Sequence, residues 1–232
     1  DSGLSPNQLS EMFSEIGARF EMTWKFIDPS IPHRTLMLVS KFDHCLNDLL
    51  YRKQTGELNI AVTTVASNHP DLEPLARFHQ APFEVLPAGQ SKLATKAAQE
   101  DRIRDLIDAH DVELVVLARY MQVLSDELCQ ELAGRCINIH HSFLPSFKGA
   151  RPYHQAFERG VKAIGATAHY VTADLDEGPI IDQEVARVDH TFGPDQLLAT
   201  GRNMENYALS RAVKAHSEHR VFLNGHKTVV LK

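Results

Sequence analysis

Glu113-Leu114-Val115-Val116-Leu117 is the stretch whose reading decides the fold. Leu114 to Leu117 run apolar without a polar alternate, so a strand built from them has to be covered on both faces. Strands of that kind belong to parallel sheets flanked by helices. Thr35-Leu36-Met37-Leu38-Val39 and Leu58-Asn59-Ile60-Ala61-Val62-Thr63-Thr64-Val65 read the same way upstream, and Cys136-Ile137-Asn138-Ile139-His140 does so downstream. Between them lie a helical stretch around Leu46, Leu49 and Leu50, a short helix opened by Asp71 and a short strand at Phe83 to Val85. A long helix from Lys92 to Asp108 and a helix from Ser125 follow. This alternation predicts an α/β fold with a mostly parallel sheet and helices on both faces. Further on, 166–171 and 179–188 are strand-like and 194–216 is helical with Gly201 inside. Asn224-Gly225 marks a hairpin between 221–223 and 228–231.

The first thirty residues follow another pattern. Ser5-Pro6 supplies an N-cap and first-turn proline, and Leu9, Met12, Phe13, Ile16 and Phe20 recur at helical spacing. Phe20, Met22, Trp24 and Phe26 then alternate as a half-buried strand does. Asp28-Pro29-Ser30-Ile31-Pro32 reads as a linker. One helix and one strand do not enclose a core, so residues 1–30 are expected to be the remnant of a small α+β domain, with 31–232 as the main domain. The orphan strand leaves apolar surface that invites a homo-oligomeric contact.

Bulk properties narrow the function. The formal charge of −6 and the absence of a long basic block argue against nucleic acid as a partner. No apolar run approaches the roughly 20 residues of a membrane span, and Asp1-Ser2-Gly3 lacks the basic and apolar parts of a secretory signal. Cys45, Cys129 and Cys136 show no CxxC spacing, which favours reduced, buried thiols and a cytoplasmic setting. The 13 histidines raise the question of a metal, yet neither HExxH nor a Cys/His ligand pair is present. His140 and His141 are expected to point apart on an extended strand. No metal is expected.

Asn138 and His140 stand two apart at the end of a strand, where their side chains share a face and where open α/β sheets bind ligands. The loop 141–149 follows them, and Asp176 sits in a second loop, Asp174-Leu175-Asp176-Glu177-Gly178-Pro179-Ile180-Ile181. An amide, an imidazole and a carboxylate together supply an oxyanion donor, a proton carrier and a group that orients the imidazole. Spacing alone leaves a structural role open for Asn138 and His140, and a turn-stabilising role open for Asp176.

Asn138-Ile139-His140 with Ser142-Phe143-Leu144-Pro145 and Phe147-Lys148-Gly149, and then Leu175-Asp176-Glu177-Gly178-Pro179-Ile180-Ile181, resembles the formyltransferase family that uses 10-formyltetrahydrofolate. The resemblance covers roughly residues 34–217. It implies a Rossmann-type formyltransferase fold with Asn138, His140 and Asp176 as catalytic centre. The stretches 149–160, 40–46 and 224–230 are similar to the branch of that family that hydrolyses 10-formyltetrahydrofolate to tetrahydrofolate and formate, in one-carbon and purine metabolism. That branch carries an N-terminal ACT regulatory domain, and residues 5–27 resemble its last helix and strand. The resemblance also implies folate binding by Arg119, Tyr120, Met121, Gln122 and Val123 and by the segment 169–176, including Tyr170 and Asp174. Met121 and Leu124 have packing of the next helix as an equal alternative, and Arg119 has either a pocket carboxylate or the substrate as partner. Folate is then substrate, and no cofactor is expected.

The choice between water and another acceptor turns on Ser40-Lys41-Phe42-Asp43-His44-Cys45. Family members that act on a phosphorylated acceptor carry a glycine-rich turn there, whose backbone N–H groups approach the phosphate. Here Phe42 brings bulk and Asp43 negative charge, only partly offset by Lys41 and His44. Water is the expected acceptor. Transfer to an amino sugar or aminoacyl-tRNA, and a folate-binding or amino-acid-sensing protein without turnover, are the competing readings.

Overall fold

The computed structural model describes residues 3–87, 89–142, 144 and 152–232, the side chains of Pro152 and His154 apart. The chain divides into two compact units, Asp1–Pro32 and His33–Lys232.

In the first unit α1 spans Pro6–Arg19. Its start is closed by a reciprocal box: the Ser5 hydroxyl accepts from the Gln8 N–H, and the Gln8 side chain accepts from the Ser5 N–H. The segment expected as a strand, Phe20 to Phe26, is not one. A strand needs a neighbouring backbone to bond to, and this unit offers none. Instead Trp24 and Phe26 fold back edge-on against Phe13, and the Trp24 indole N–H donates to Ser10 Oγ. Phe20 and Met22 stay exposed.

The second unit is built on a seven-stranded sheet in the order β3-β2-β1-β4-β5-β6-β7. The strands are β1 His33–Val39, β2 Ile60–Ser67, β3 Phe83–Val85, β4 Leu114–Leu117, β5 Cys136–His140, β6 Ala163–Tyr170 and β7 Ile180–Arg187. The first five are parallel, and β6 and β7 run antiparallel to their neighbours. The unbroken apolar runs now have their reason. Met37, Val39, Leu114, Val116, Ile137 and Ile139 face one core, with α2 (His44–Gln54) and α7 (Pro194–Ser217). Leu36, Leu38, Val115, Leu117 and Cys136 face the other, with α4 (Lys92–Ala109) and α5 (Asp126–Glu131). A third, smaller cluster joins Tyr153 and Ala156 of α6 (Pro152–Glu158) to Leu197 of α7. A 3₁₀ turn (Pro70–Leu72), α3 (Glu73–Phe78) and the hairpin β8–β9 (Val221–Asn224, Lys227–Val230) complete the unit.

Gly201 lies within α7 because Tyr153 needs the space: a Cβ there would stand 2.1 Å from the ring. No helix among the described residues is long and apolar enough to cross a membrane.

Candidate active site

Strand β5 carries Asn138 and His140, and its antiparallel register sets His169 opposite Asn138 and Thr167 opposite His140. The loop leaving β6 then brings Asp176 back over the sheet. Asp176 adopts φ +59°, a left-handed conformation that non-glycine residues seldom take. Two residues later the chain passes so close to β6 that a Cβ on Gly178 would lie 1.7 Å from the Tyr170 carbonyl oxygen. The Tyr170 N–H donates to the Pro179 carbonyl at 2.9 Å and locks this approach. As a result Asp176 Oδ2 sits 3.1 Å from His140 Nδ1, with both side chains largely buried.

A singly protonated His140 ring keeps its proton on Nδ1, facing the carboxylate. Nε2, 2.9 Å from Ser142 Oγ, then accepts from that hydroxyl. Burial alone would raise the Asp176 carboxyl. The hydrogen bond from His140 outweighs it and holds the group below its usual range.

His169 settles the orientation of Asn138. Its Nδ1 lies 2.9 Å from the Tyr170 carbonyl, which only accepts, so Nδ1 carries the proton. Burial pushes its pKa down, leaving a neutral ring whose Nε2 accepts. The Asn138 atom 3.3 Å from Nε2 is therefore the amide nitrogen. One amide N–H goes to His169, and the second remains for a ligand. Thr167 steadies the other side: its hydroxyl donates to the Ser142 carbonyl and accepts from the Leu144 N–H and the Gln183 amide. Sequence reasoning gave no role to Thr167 or Gln183, and drew in His169 only as the start of the segment 169–176 expected at the folate. The available signal was two polar residues at alternate positions of an otherwise apolar strand.

Residues 33–213 match the formyl transferase family model. The formyltetrahydrofolate deformylase of Corynebacterium sp. (strain P-1) is 56% identical over 97% of this chain and 77% of its own length. The chain belongs to the formyl transferase family, among its formyltetrahydrofolate deformylases. The crystal structure of a Burkholderia mallei formyltetrahydrofolate deformylase superposes with a TM-score of 0.92 at 54% identity, covering 100% of this chain and 81% of that one. Glycinamide ribonucleotide transformylase 1 of Symbiobacterium toebii shares the frame at a TM-score of 0.79 and 30% identity, over 90% of this chain and 98% of its own.

The family frame surrounds a cavity lined by Asn138, His140, Asp176 and five residues expected at the folate, Arg119, Tyr120, Met121, Gln122 and Val123. Met121, Val123 and Leu175 keep about half or more of their surface exposed on its walls, a state that favours an apolar ligand. Leu124 also lines it, though buried in the core beside α5. Tyr170 and Asp174 stand elsewhere. The Tyr170 hydroxyl is 2.7 Å from His216 Nδ1 on the far face of the sheet, as the alternation of strand side chains requires of the neighbour of His169. The Asp174 carbonyl accepts from Thr172 Oγ1 and the Glu177 N–H, and Asp174 is not part of the cavity lining. Phe143, Pro145, Ser146, Phe147, Lys148, Gly149, Ala150 and Arg151 lie outside the described residues.

His141 does not point away from His140. The chain bends after the strand and brings the two rings to 5.2 Å. Burial, reinforced by the Arg119 cation, pushes the His141 pKa down to about 4, so the ring is neutral at pH 7. Among the described residues, His44, Cys45 and Glu205 place donor atoms within 4.8 Å of one another. Burial and the Glu205 charge raise the Cys45 thiol, and Glu205 already pairs with Arg119, so these donors suit a hydrogen-bonded network better than a cation.

Proposed function

We propose that this chain hydrolyses 10-formyltetrahydrofolate to tetrahydrofolate and formate, with Asn138, His140 and Asp176 as its catalytic centre. The observation that carries the reading is the His140–Asp176 contact of 3.1 Å in a cavity that Asn138 also lines. Asp176 holds the Nδ1 proton, so Nε2 takes a proton from a water attacking the formyl carbon. The free Asn138 N–H and the imidazolium then face the tetrahedral oxyanion. As the C–N10 bond breaks, the same proton passes to N10, tetrahydrofolate leaves, and the formic acid released gives its remaining proton to solvent as formate. These steps call for no cofactor and no metal, only the folate and water. Met121, Val123 and Leu175 supply apolar contact for the pterin.

The buried cysteines fit a reducing, cytoplasmic setting. The open side chains Met12, Ile16, Phe20 and Met22 of the first unit favour self-association, and that unit reads best as part of an ACT-type regulatory domain. The test is formate release from 10-formyltetrahydrofolate without any added acceptor. Asn138→Ala, His140→Ala and Asp176→Ala are each expected to lower kcat by about 10²–10⁴-fold. Near-wild-type turnover in a folded variant removes that residue from the centre. Turnover only with an added amine replaces hydrolysis with transfer.

A further inference from the structure

Doubly wound sheets bind ligands where the strand order reverses, and in the order β3-β2-β1-β4-β5 that point lies between β1 and β4. The carboxyl ends of these two strands are joined tightly. The Ala118 N–H donates to the Leu38 carbonyl at 2.9 Å, and the Met121 N–H donates to Ser40 Oγ at 2.9 Å. Into the crevice between them the chain sends its own side chain, Arg119.

Arg119 takes φ +64°, strained for a residue with a Cβ. Its side chain is 9% exposed, with the guanidinium 4.9 Å over the Phe42 ring and Nε 3.3 Å from Glu205 Oε2. Glu205 is itself buried in α7. It accepts from Tyr153 Oη at 2.9 Å and pairs with His44 Nε2 at 2.8 Å. Burial would raise this carboxyl, but the His44 hydrogen bond and the Arg119 charge hold it below its usual range. The Phe42 ring covers one face of this guanidinium and Glu205 balances its charge, although Nε has no hydrogen-bond partner among the described residues. Arg119 lines the same cavity as Asn138 and His140.

We propose that Arg119, held in place by Glu205 and covered by Phe42, is a specificity-determining plug that fills the acceptor side of the cavity and leaves room for water alone. The proposal rests on the hydrolytic reading above. Glu205 is the positioning residue, because without it the guanidinium loses its buried anchor. Opening the plug admits an amine. Its nitrogen attacks the formyl carbon, the C–N10 bond breaks, the amine proton passes through His140 to N10, and the products are a formamide and tetrahydrofolate.

The experiment compares wild type with Arg119→Gly/Glu205→Gln. Glycine is at home at this φ, and glutamine leaves no unpaired buried charge. Each protein is given 10-formyltetrahydrofolate with increasing glycinamide, and the ratio of N-formylglycinamide to formate is measured. Wild type is expected to yield formate at every glycinamide concentration. The double variant is expected to raise the ratio about tenfold or more, equivalent to roughly 1.4 kcal/mol in favour of the amine path. An unchanged ratio in a folded double variant overturns the plug. If that variant does not fold, Phe42→Ala, which keeps the ion pair, carries the test: a ratio rising with glycinamide supports the plug, and a wild-type ratio overturns it. A failure of the hydrolytic reading itself shows up separately, as wild type releasing no formate without glycinamide.

Discussion

Replacing Gly178 with alanine tests whether the backbone approach beneath Asp176 sets the catalytic geometry. The added Cβ would lie 1.7 Å from the Tyr170 carbonyl oxygen, where about 3.0 Å is the closest that such atoms come, so the two must part by about 1.3 Å. No rotamer change relieves this, because both atoms belong to the backbone or are fixed to it. Strand β6 is held on both sides by β5 and β7, so the loop that carries Asp176 gives way. A displacement of about 1 Å at a reacting group lowers the rate about 10²-fold, or ~2.7 kcal/mol in the barrier. The assay is kcat for formate release, beside circular dichroism and a thermal melt to show a retained fold. Gly193→Ala is the control, since a Cβ there meets nothing closer than 3.9 Å. Gly178→Ala within about threefold of wild type would refute the reasoning.

Two further outcomes follow from buried titratable groups. Burial, then His33 and His219, push the His216 pKa down to about 3 from 6.5. The unfolded chain therefore binds more protons between those values, and stability falls as pH drops from 6.5 towards 3. His216→Gln is expected to flatten that decline, by on the order of 2 kcal/mol between pH 7 and pH 5; urea titrations with the same pH slope in both proteins would reject the assignment. Cys45, Cys129 and Cys136 are buried, and burial raises each thiol. Iodoacetamide is expected to leave native activity intact and to label all of them only after denaturation; rapid native labelling of Cys45 would contradict its burial.

The central strands were legible because a sheet covered on both faces leaves no alternation to blur, and Leu114 to Leu117 have nowhere polar to turn. Phe20 to Phe26 misled for the converse reason. Its alternation is a local pattern, but a strand exists only with a partner, and local sequence does not supply one. The site divides in the same way. Asn138, His140 and Asp176 stand out through their own motifs, whereas His169 matters through antiparallel register and a tautomer fixed by the Tyr170 carbonyl. Tyr170 was drawn in by its segment, although strand geometry sends it to the opposite face. Glu205 was the least legible of all. On one helix it is an ordinary acid, and only tertiary packing brings His44, Arg119 and Tyr153 to it from three other places in the chain.

The placement of charge around the cavity has a consequence for His140. Three imidazoles, His140, His141 and His169, stand near the Asp176 carboxylate. Were all three able to take a proton at neutral pH, its field would be shared and no single ring would be favoured as the base. Burial keeps His169 neutral, and burial with the Arg119 cation does the same for His141. His140 is left as the ring that faces Asp176 at 3.1 Å, while His169 is 3.8 Å away and committed to Asn138. Arg119 thus acts at the site twice, by occupying the crevice and by suppressing the charge of the neighbouring imidazole. Its removal is expected to relieve part of what keeps His141 neutral, burial remaining the larger cause, as well as to change which nucleophile enters.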